Sequence, residues 1–311
     1  MSDLLPPSID PIAAARWAIK AAEAENAPWL HEEVARRMAE RLQYIRLPVT
    51  AWADWEPDRG GKQGHALVAA HYPAAESFLV EARARQPTHP SQSADKPAAL
   101  RWLARLSLGR SAQKSVPTPP EGAMQMVWAN MLAHQAADPA DLFAQWHRAL
   151  ATDGFVMFSC LGPDTLRELR ALYARLGWPA PTHEFTDMHD LGDLLVTAGF
   201  AEPVMDMERI TLTFESPARL LAELRGLGRN LHVKRFAALR GRAWRTRLEA
   251  ALDEHLRLPP EMPGGSPGPL ALSFEVIYGH ALKPAPRLQV APRTEIALDD
   301  MKTALRQSRK S

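Results

Sequence analysis

Apolar residues recur at intervals of three and four through "PWLHEEVARRMAERLQYIRL", where Leu30, Val34, Met38, Leu42 and Ile45 share one face and predict an amphipathic helix lying on a core. The period then changes. "VTAW" and "ESFLVE" read as short strands on either side of a helix near 66–71, a strand-helix-strand unit. "MQMVWAN" and "FVMFSC" read as buried strands, and between them Asp138 and Pro139 open the helix "ADLFAQWHRAL", with Leu142, Phe143, Trp146 and Leu150 in one stripe and "DG" at 153–154 as its stop. Asp164 is expected to cap "TLRELRALYARL", closed by Gly177, and Asp187 to cap "MHDLGDLLVTA", closed by Gly199. "PVMDMERITLTF" and "LSFEVIYGHALK" alternate as two further strands. Strands and helices in alternation predict an α/β fold with a mostly parallel sheet covered on both faces, which binds ligands at the carboxyl ends of its strands.

Residues 86–123 break this pattern. They are rich in Pro, Ser and Ala around one short apolar helix, "ALRWLARLSL", and read as an insertion or flap. The rest of the composition narrows the function classes. A chain of 311 residues, 46% hydrophobic and 23% charged, can bury a full core. Its net charge of +1 supplies no global field for nucleic acid or membranes, and no stretch has the length and apolarity of a membrane span. The single cysteine, Cys160, rules out an internal disulfide, and "MSDLLPPSIDPIAAARW" lacks the pattern of a signal peptide, so a cytoplasmic protein is expected. The histidines show no paired metal spacing and read as surface or packing residues, and Cys160 as a small buried apolar residue.

The run "VPTPPEGAMQMVWANMLAHQAADPADLFAQWHRALATDGFVMFSCLGPDTLRELR" resembles the middle of class I S-adenosylmethionine (SAM) dependent methyltransferases. More narrowly, "FSCLGPDTLRELR", "FTDMHDLGDLLVTAGFAEPVMDMERITLTF" and "FEVIYGHALK" resemble the malonyl-[acyl-carrier protein] O-methyltransferases of biotin synthesis, as does the entry helix at the N-terminus. The resemblance runs from about residue 28 to 284, dense after 124 and thin between 48 and 115. It implies a Rossmann-like sheet of seven strands, mostly parallel, with one antiparallel edge strand, and the order of the elements predicts that "LSFEVIYGHALK" inserts antiparallel next to "MDMERITLTF". It also implies an entry segment at 1–47, a catalytic domain at 48–284, a helical substrate lid at 215–262 and a flexible tail at 285–311.

The same resemblance places "WEPDRGGKQG" at the glycine-rich loop after the first strand, with SAM as cofactor. Asp54 is the nearest acid to the strand end, while Trp55 and Pro57 stand where small residues are expected; Gly60 and Gly61 are candidate backbone donors and Trp55 a candidate face for the sulfonium. Without that context the glycines read as ordinary turn residues. Glu81 falls at the end of the second strand, where the family's carboxylate accepts from both ribose hydroxyls; alone it reads as a solvated side chain. Trp128 and Asn130 flank the turn after the fourth strand, at the methyl-transfer site or, on the plainer reading, as a core tryptophan and a turn asparagine.

One charge run stands out against the neutral whole. Residues 225–247 hold Arg225, Arg229, Lys234, Arg235, Arg240, Arg242, Arg245 and Arg247 with no acid among them. A solvated face balanced in space is the ordinary explanation of such a run. The resemblance makes it part of the lid: Arg225 and Arg229 as anchors for the malonyl carboxylate, the other six as a patch for an acidic acyl carrier protein, or for malonyl-CoA as the smaller substrate. No aromatic platform or reading helix for nucleic acid accompanies it, and the chain is expected to act as a monomer. The open alternatives are methylation of another small acid or hydroxyl, and a non-catalytic homologue that binds a carrier protein.

Overall fold

The computed structural model describes residues 9–21, 23–24, 26–81, 113–260 and 265–286. Seven strands form one sheet: β1 Ala51–Trp55, β2 Glu76–Val80, β3 Gln113–Val116, β4 Met124–Ala129, β5 Leu150–Leu161, β6 Ala201–Phe214 and β7 Leu270–Leu282, in the order β3-β2-β1-β4-β5-β7-β6. Pairing is parallel from β3 across to β5, and β7 runs antiparallel between β5 and β6. This is the class I methyltransferase arrangement that the resemblance implied, with β7 antiparallel beside β6 as expected; the antiparallel strand lies inside the sheet, however, and β6 forms the edge. From β1 the chain moves outward to β2 and β3, then returns to β4 on the other side of β1. The order therefore reverses between β1 and β4, and an open α/β sheet presents its ligand crevice at such a switch point.

Helices α1 Pro11–Ala21, α2 Trp29–Glu40, α3 Pro57–Gly60, α4 Lys62–His71, α5 Pro139–Ala149, α6 Arg167–Arg175, α7 Met188–Thr197, α8 Pro217–Leu227 and α9 Arg242–His255 flank the sheet. The period of two along each strand divides the core into two layers. Trp52, Met126, Trp128 and Phe155 pack with Leu30, Val34 and Met38 of α2. Trp55, Val127 and Phe158 face the other way, onto Phe143 and Trp146 of α5. The expected stripes of α2 and α5 are thus the buried faces.

Helix ends follow the sequence in part. Asp138 caps α5 by accepting from Asp141 N at 3.0 Å, and Asp187 caps α7 by accepting from His189 N at 2.8 Å. Asp138→Ala is expected to cost about 1 kcal/mol, read from the urea midpoint at unchanged slope. Helix α5 ends at Ala149, ahead of the "DG" expected to stop it, and Asp153 and Gly154 lie within β5. Asp164 does not cap α6: that position falls to Leu166, in the left-handed region at φ 56°, while the Asp164 carboxylate accepts from Arg209 at 2.6 Å. Residues 113–116, read as part of the insertion, form the edge strand β3. The short helix expected at 99–108 and most of the expected tail lie outside the described residues.

Candidate active site

At the end of β1 the chain enters the crevice. Asp54 is buried, its Oδ2 2.7 Å from His65 Nδ1, and the His65 ring stacks on Trp52 with centroids 4.8 Å apart. Burial raises the Asp54 pKa while the His65 contact opposes it. Glu56 follows in the left-handed region at φ 56°, a conformation that suits glycine better than glutamate. Its carboxylate is buried and ion-paired with Arg59 on the short helix α3.

The loop's backbone donors are already used. Glu56 N donates to Val80 O, Arg59 N and Gly60 N both to Glu56 O, and Gly61 N to Pro57 O. The expectation that Gly60 and Gly61 offer their N–H groups to a cofactor is therefore corrected. These glycines serve close packing instead. A Cβ on Gly61, at φ 114°, would lie 2.6 Å from Glu32 Oε2, and one on Gly60 would lie 3.1 Å from Asn130 O. Glu32 of α2 accepts from Gln63 N at 3.1 Å and Gly64 N at 3.3 Å, filling the anion position at the start of α4.

Two further expectations change for the same reason. Trp55 is buried at 1% exposure, edge-on to Trp146 at 6.4 Å, so its ring belongs to the core under α5 and presents no face to the crevice. Trp128 is equally buried, in the opposite layer. Asn130 is an internal brace: its Nδ2 donates to His31 O at 2.8 Å and to Gly60 O, and its Oδ1 accepts from Ser159 Oγ at 2.7 Å. Glu81 stands immediately after β2, half-buried.

Sequence reasoning missed a chain of side chains beneath α1. Gln135 Oε1 accepts from Trp17 Nε1 at 2.7 Å and from Arg59 Nη2, while Gln135 Nε2 meets His134 Nε2 at 3.0 Å and Leu227 O at 3.3 Å. His31 Nδ1 donates to Arg59 O at 2.7 Å, leaving the buried Nε2 with no partner among the described residues. Burial holds the His31 pKa down to about 4, so the ring is neutral and Nε2 is an acceptor.

A cavity of about 220 Å³ opens at His31, Asp58, Arg59 and Gln135, roofed by Trp17 and Lys20 of α1 and by Arg225 and Arg229. A second, about 230 Å³, lies against it and is mainly apolar, walled by Leu161, Leu169, Phe185, Leu224 and Phe274 with His134 in its lining. Gln135, Arg225, Leu227 and Arg229 border both. An open groove of about 520 Å³ continues from there past Tyr173 and Asn230, lined by Arg16, Lys20, Arg229, Arg235 and Arg240 with no acid among the described residues of its walls. The two anchors differ. Arg229 lies 4.7 Å over the Trp17 ring and donates to the carbonyls of Arg225 and Gly228, whereas Arg225 is exposed with no ion pair among the described residues.

The basic run is sorted by its surroundings. Arg235 pairs with Asp10 at 2.8 Å and Arg245 with Glu249 at 2.7 Å. Arg240 lies over Trp244 at 3.7 Å and Phe236 at 4.4 Å, and Arg247 is 6.0 Å from the Trp178 ring. Lys234 and Arg242 are exposed without an ion pair among the described residues. Cys160 is buried and its pKa raised by burial, as a packing residue's would be. Among the described residues there is no group of His, Cys, Asp and Glu arranged to hold a metal, and no helix long and apolar enough to cross a membrane.

No protein-family profile matches the chain. Individual relatives do. The malonyl-[acyl-carrier protein] O-methyltransferase of Gallionella capsiferriformans is 38% identical over 267 residues, 83% of this chain and 86% of the relative. That of Laribacter hongkongensis is 38% identical over 274 residues, 86% of this chain and 87% of its own, and that of Nitrosospira multiformis 32% over 276. Among solved structures, a methyltransferase of Bacillus halodurans aligns at 13% identity with a TM-score of 0.47, over 80% of this chain and 100% of its own. With identity at this level across most of both sequences, the chain belongs to the malonyl-[acyl-carrier protein] O-methyltransferase family.

Proposed function

We propose that the protein transfers a methyl group from SAM to the free carboxylate of a malonyl thioester on acyl carrier protein, an early step of biotin synthesis. The observation that carries this reading is the junction at Gln135, Arg225 and Arg229, where a cavity that His31, Arg59 and Lys20 border opens against a chamber walled by Leu161, Leu169, Phe185 and Phe274. The residues present fit the cofactor through side chains rather than through the loop backbone. His31 Nε2, a buried acceptor without a partner among the described residues, suits the ammonium of a methionyl group. Arg59 and Lys20, on the same cavity, suit its carboxylate, and Glu81 at the end of β2 suits ribose hydroxyls.

When bound, SAM supplies a methyl carbon made electrophilic by its sulfonium. The acceptor needs no general base, because a carboxylic acid titrating near 4 is already ionised at neutral pH. The protein's part is to position. Arg225 holds the malonyl carboxylate by a charge-assisted pair at the junction, and the apolar walls of the chamber exclude water around the acyl group. The basic groove, together with the exposed Lys234 and Arg242, steers an acidic carrier protein toward the chamber mouth.

Titration calorimetry with SAM and S-adenosylhomocysteine tests the cofactor assignment. Glu81→Ala is expected to weaken binding by about 1–3 kcal/mol, roughly 5- to 150-fold, because hydroxyls lose a partner. Equal affinity in the variant would remove Glu81 from the site. The inward-turned loop favours a second reading, a homologue that holds carrier protein without methyl transfer. That reading requires carrier binding in the wild type with no SAM binding at millimolar ligand.

A further inference from the structure

Gln135 fixes the protonation of its neighbour. Its Oε1 already accepts from Trp17 Nε1 at 2.7 Å and from Arg59 Nη2, so the amide cannot be turned over without facing donors with donors. Its Nε2 is therefore the nitrogen that faces His134 Nε2 at 3.0 Å, and it donates there and to Leu227 O. An accepting Nε2 places the ring proton of a neutral His134 on Nδ1. The ring is neutral, because burial and the neighbouring His183 drive its pKa well below the usual histidine range.

That Nδ1–H has no partner among the described residues. His134 is 6% exposed, its Nδ1 is buried and unpaired, and the residue lines the apolar chamber. The neighbouring His183 is engaged on both ring nitrogens: its Nε2 donates to His134 O at 2.9 Å, and its Nδ1 accepts from Leu231 N. A buried donor left unmade costs stability, and the chamber that His134 lines is walled mainly by Leu, Phe and Pro side chains. We propose that His134 Nδ1–H donates to the thioester carbonyl oxygen of the acyl substrate in the chamber, as a substrate-positioning contact. It rests on the proposed function for the identity of the acyl group. A neutral donor suits this oxygen: it orients the chain that carries the carboxylate without competing with Arg225 for the carboxylate itself.

The test compares the wild type with His134→Phe, which keeps an aromatic ring and removes the donor, and His134→Gln, which restores an N–H. With malonyl-acyl carrier protein, His134→Phe is expected to lose about 5- to 150-fold in kcat/KM, and His134→Gln to recover most of it. Thermal melting of the substrate-free proteins separates this from a structural role: His134→Phe loses both the unpaired Nδ1–H and the Nε2 acceptor of Gln135, two changes of opposite sign, so it should melt near the wild-type temperature while its kcat/KM falls. In the wild type, nitrogen NMR of the ring should show a protonated Nδ1 and a bare Nε2, with the Nδ1–H resonance moving when malonyl-acyl carrier protein is added. A protonated Nε2, an unmoved Nδ1–H resonance, or kcat/KM in His134→Phe within twofold of wild type would overturn the proposal. Failure of the proposed function reads differently: no methyl transfer by the wild type, whatever the ring NMR shows.

Discussion

Replacing Arg59 with methionine is expected to lower the unfolding free energy by about 3–5 kcal/mol, a large share of the stability of an ordinary domain. The buried Glu56 carboxylate would lose its guanidinium, and Gln135 would lose one of the two donors that orient it. The double variant Glu56→Gly, Arg59→Met separates charge from packing. Glycine accepts φ 56° without strain and removes the buried charge, so the double variant should recover most of the loss. Chemical denaturation of both variants measures this. A single variant within 1 kcal/mol of wild type would mean that the ion pair behaves as a surface pair.

Acidification from pH 6.5 to about 4 should remove about 3 kcal/mol through His31 alone. Its folded-state pKa is depressed by burial, so between those two values the unfolded chain binds a proton that the native ring refuses. The stabilisation is complete above the unfolded value and is lost as pH falls toward the folded one. His134, depressed for the same reason, acts in the same direction. The Glu33 carboxyl, held down to about 2 chiefly by its bond to Arg36, contributes below this window. Urea midpoints across the range should rise with pH more steeply in the wild type than in His31→Phe. Equal slopes would show that His31 does not titrate between the two states.

Much of the fold could be read from periodicity. The faces of α2 and α5, the caps at Asp138 and Asp187 and the turns at Gly177 and Gly199 lie where local spacing put them. β3 was missed because an edge strand with side chains as polar as Gln113, Lys114 and Ser115 carries no apolar alternation. The site was less legible. Three glycines after a strand suggested a backbone cradle, but their need for close approach is to Glu32, Ala35 and Asn130, residues brought in from α2 and the turn after β4. The three-residue spacing of Glu56 and Arg59 was the one local signal of the ion pair that replaces the usual loop. Trp17, Arg59, His134 and Gln135 converge from distant segments, and no window of the sequence contains them together. The basic run was visible as composition, yet its division into paired, stacked and free cations depends on Asp10, Glu249 and three aromatic rings.

Methyl transfer itself is best measured by intact-mass analysis of malonyl-acyl carrier protein incubated with the purified protein and SAM. The account predicts a carrier protein heavier by one methylene, labile to esterase and absent when the acyl group is acetyl, with the rate falling sharply in Arg225→Ala. An unchanged carrier mass with wild-type protein that binds both SAM and carrier protein would contradict it.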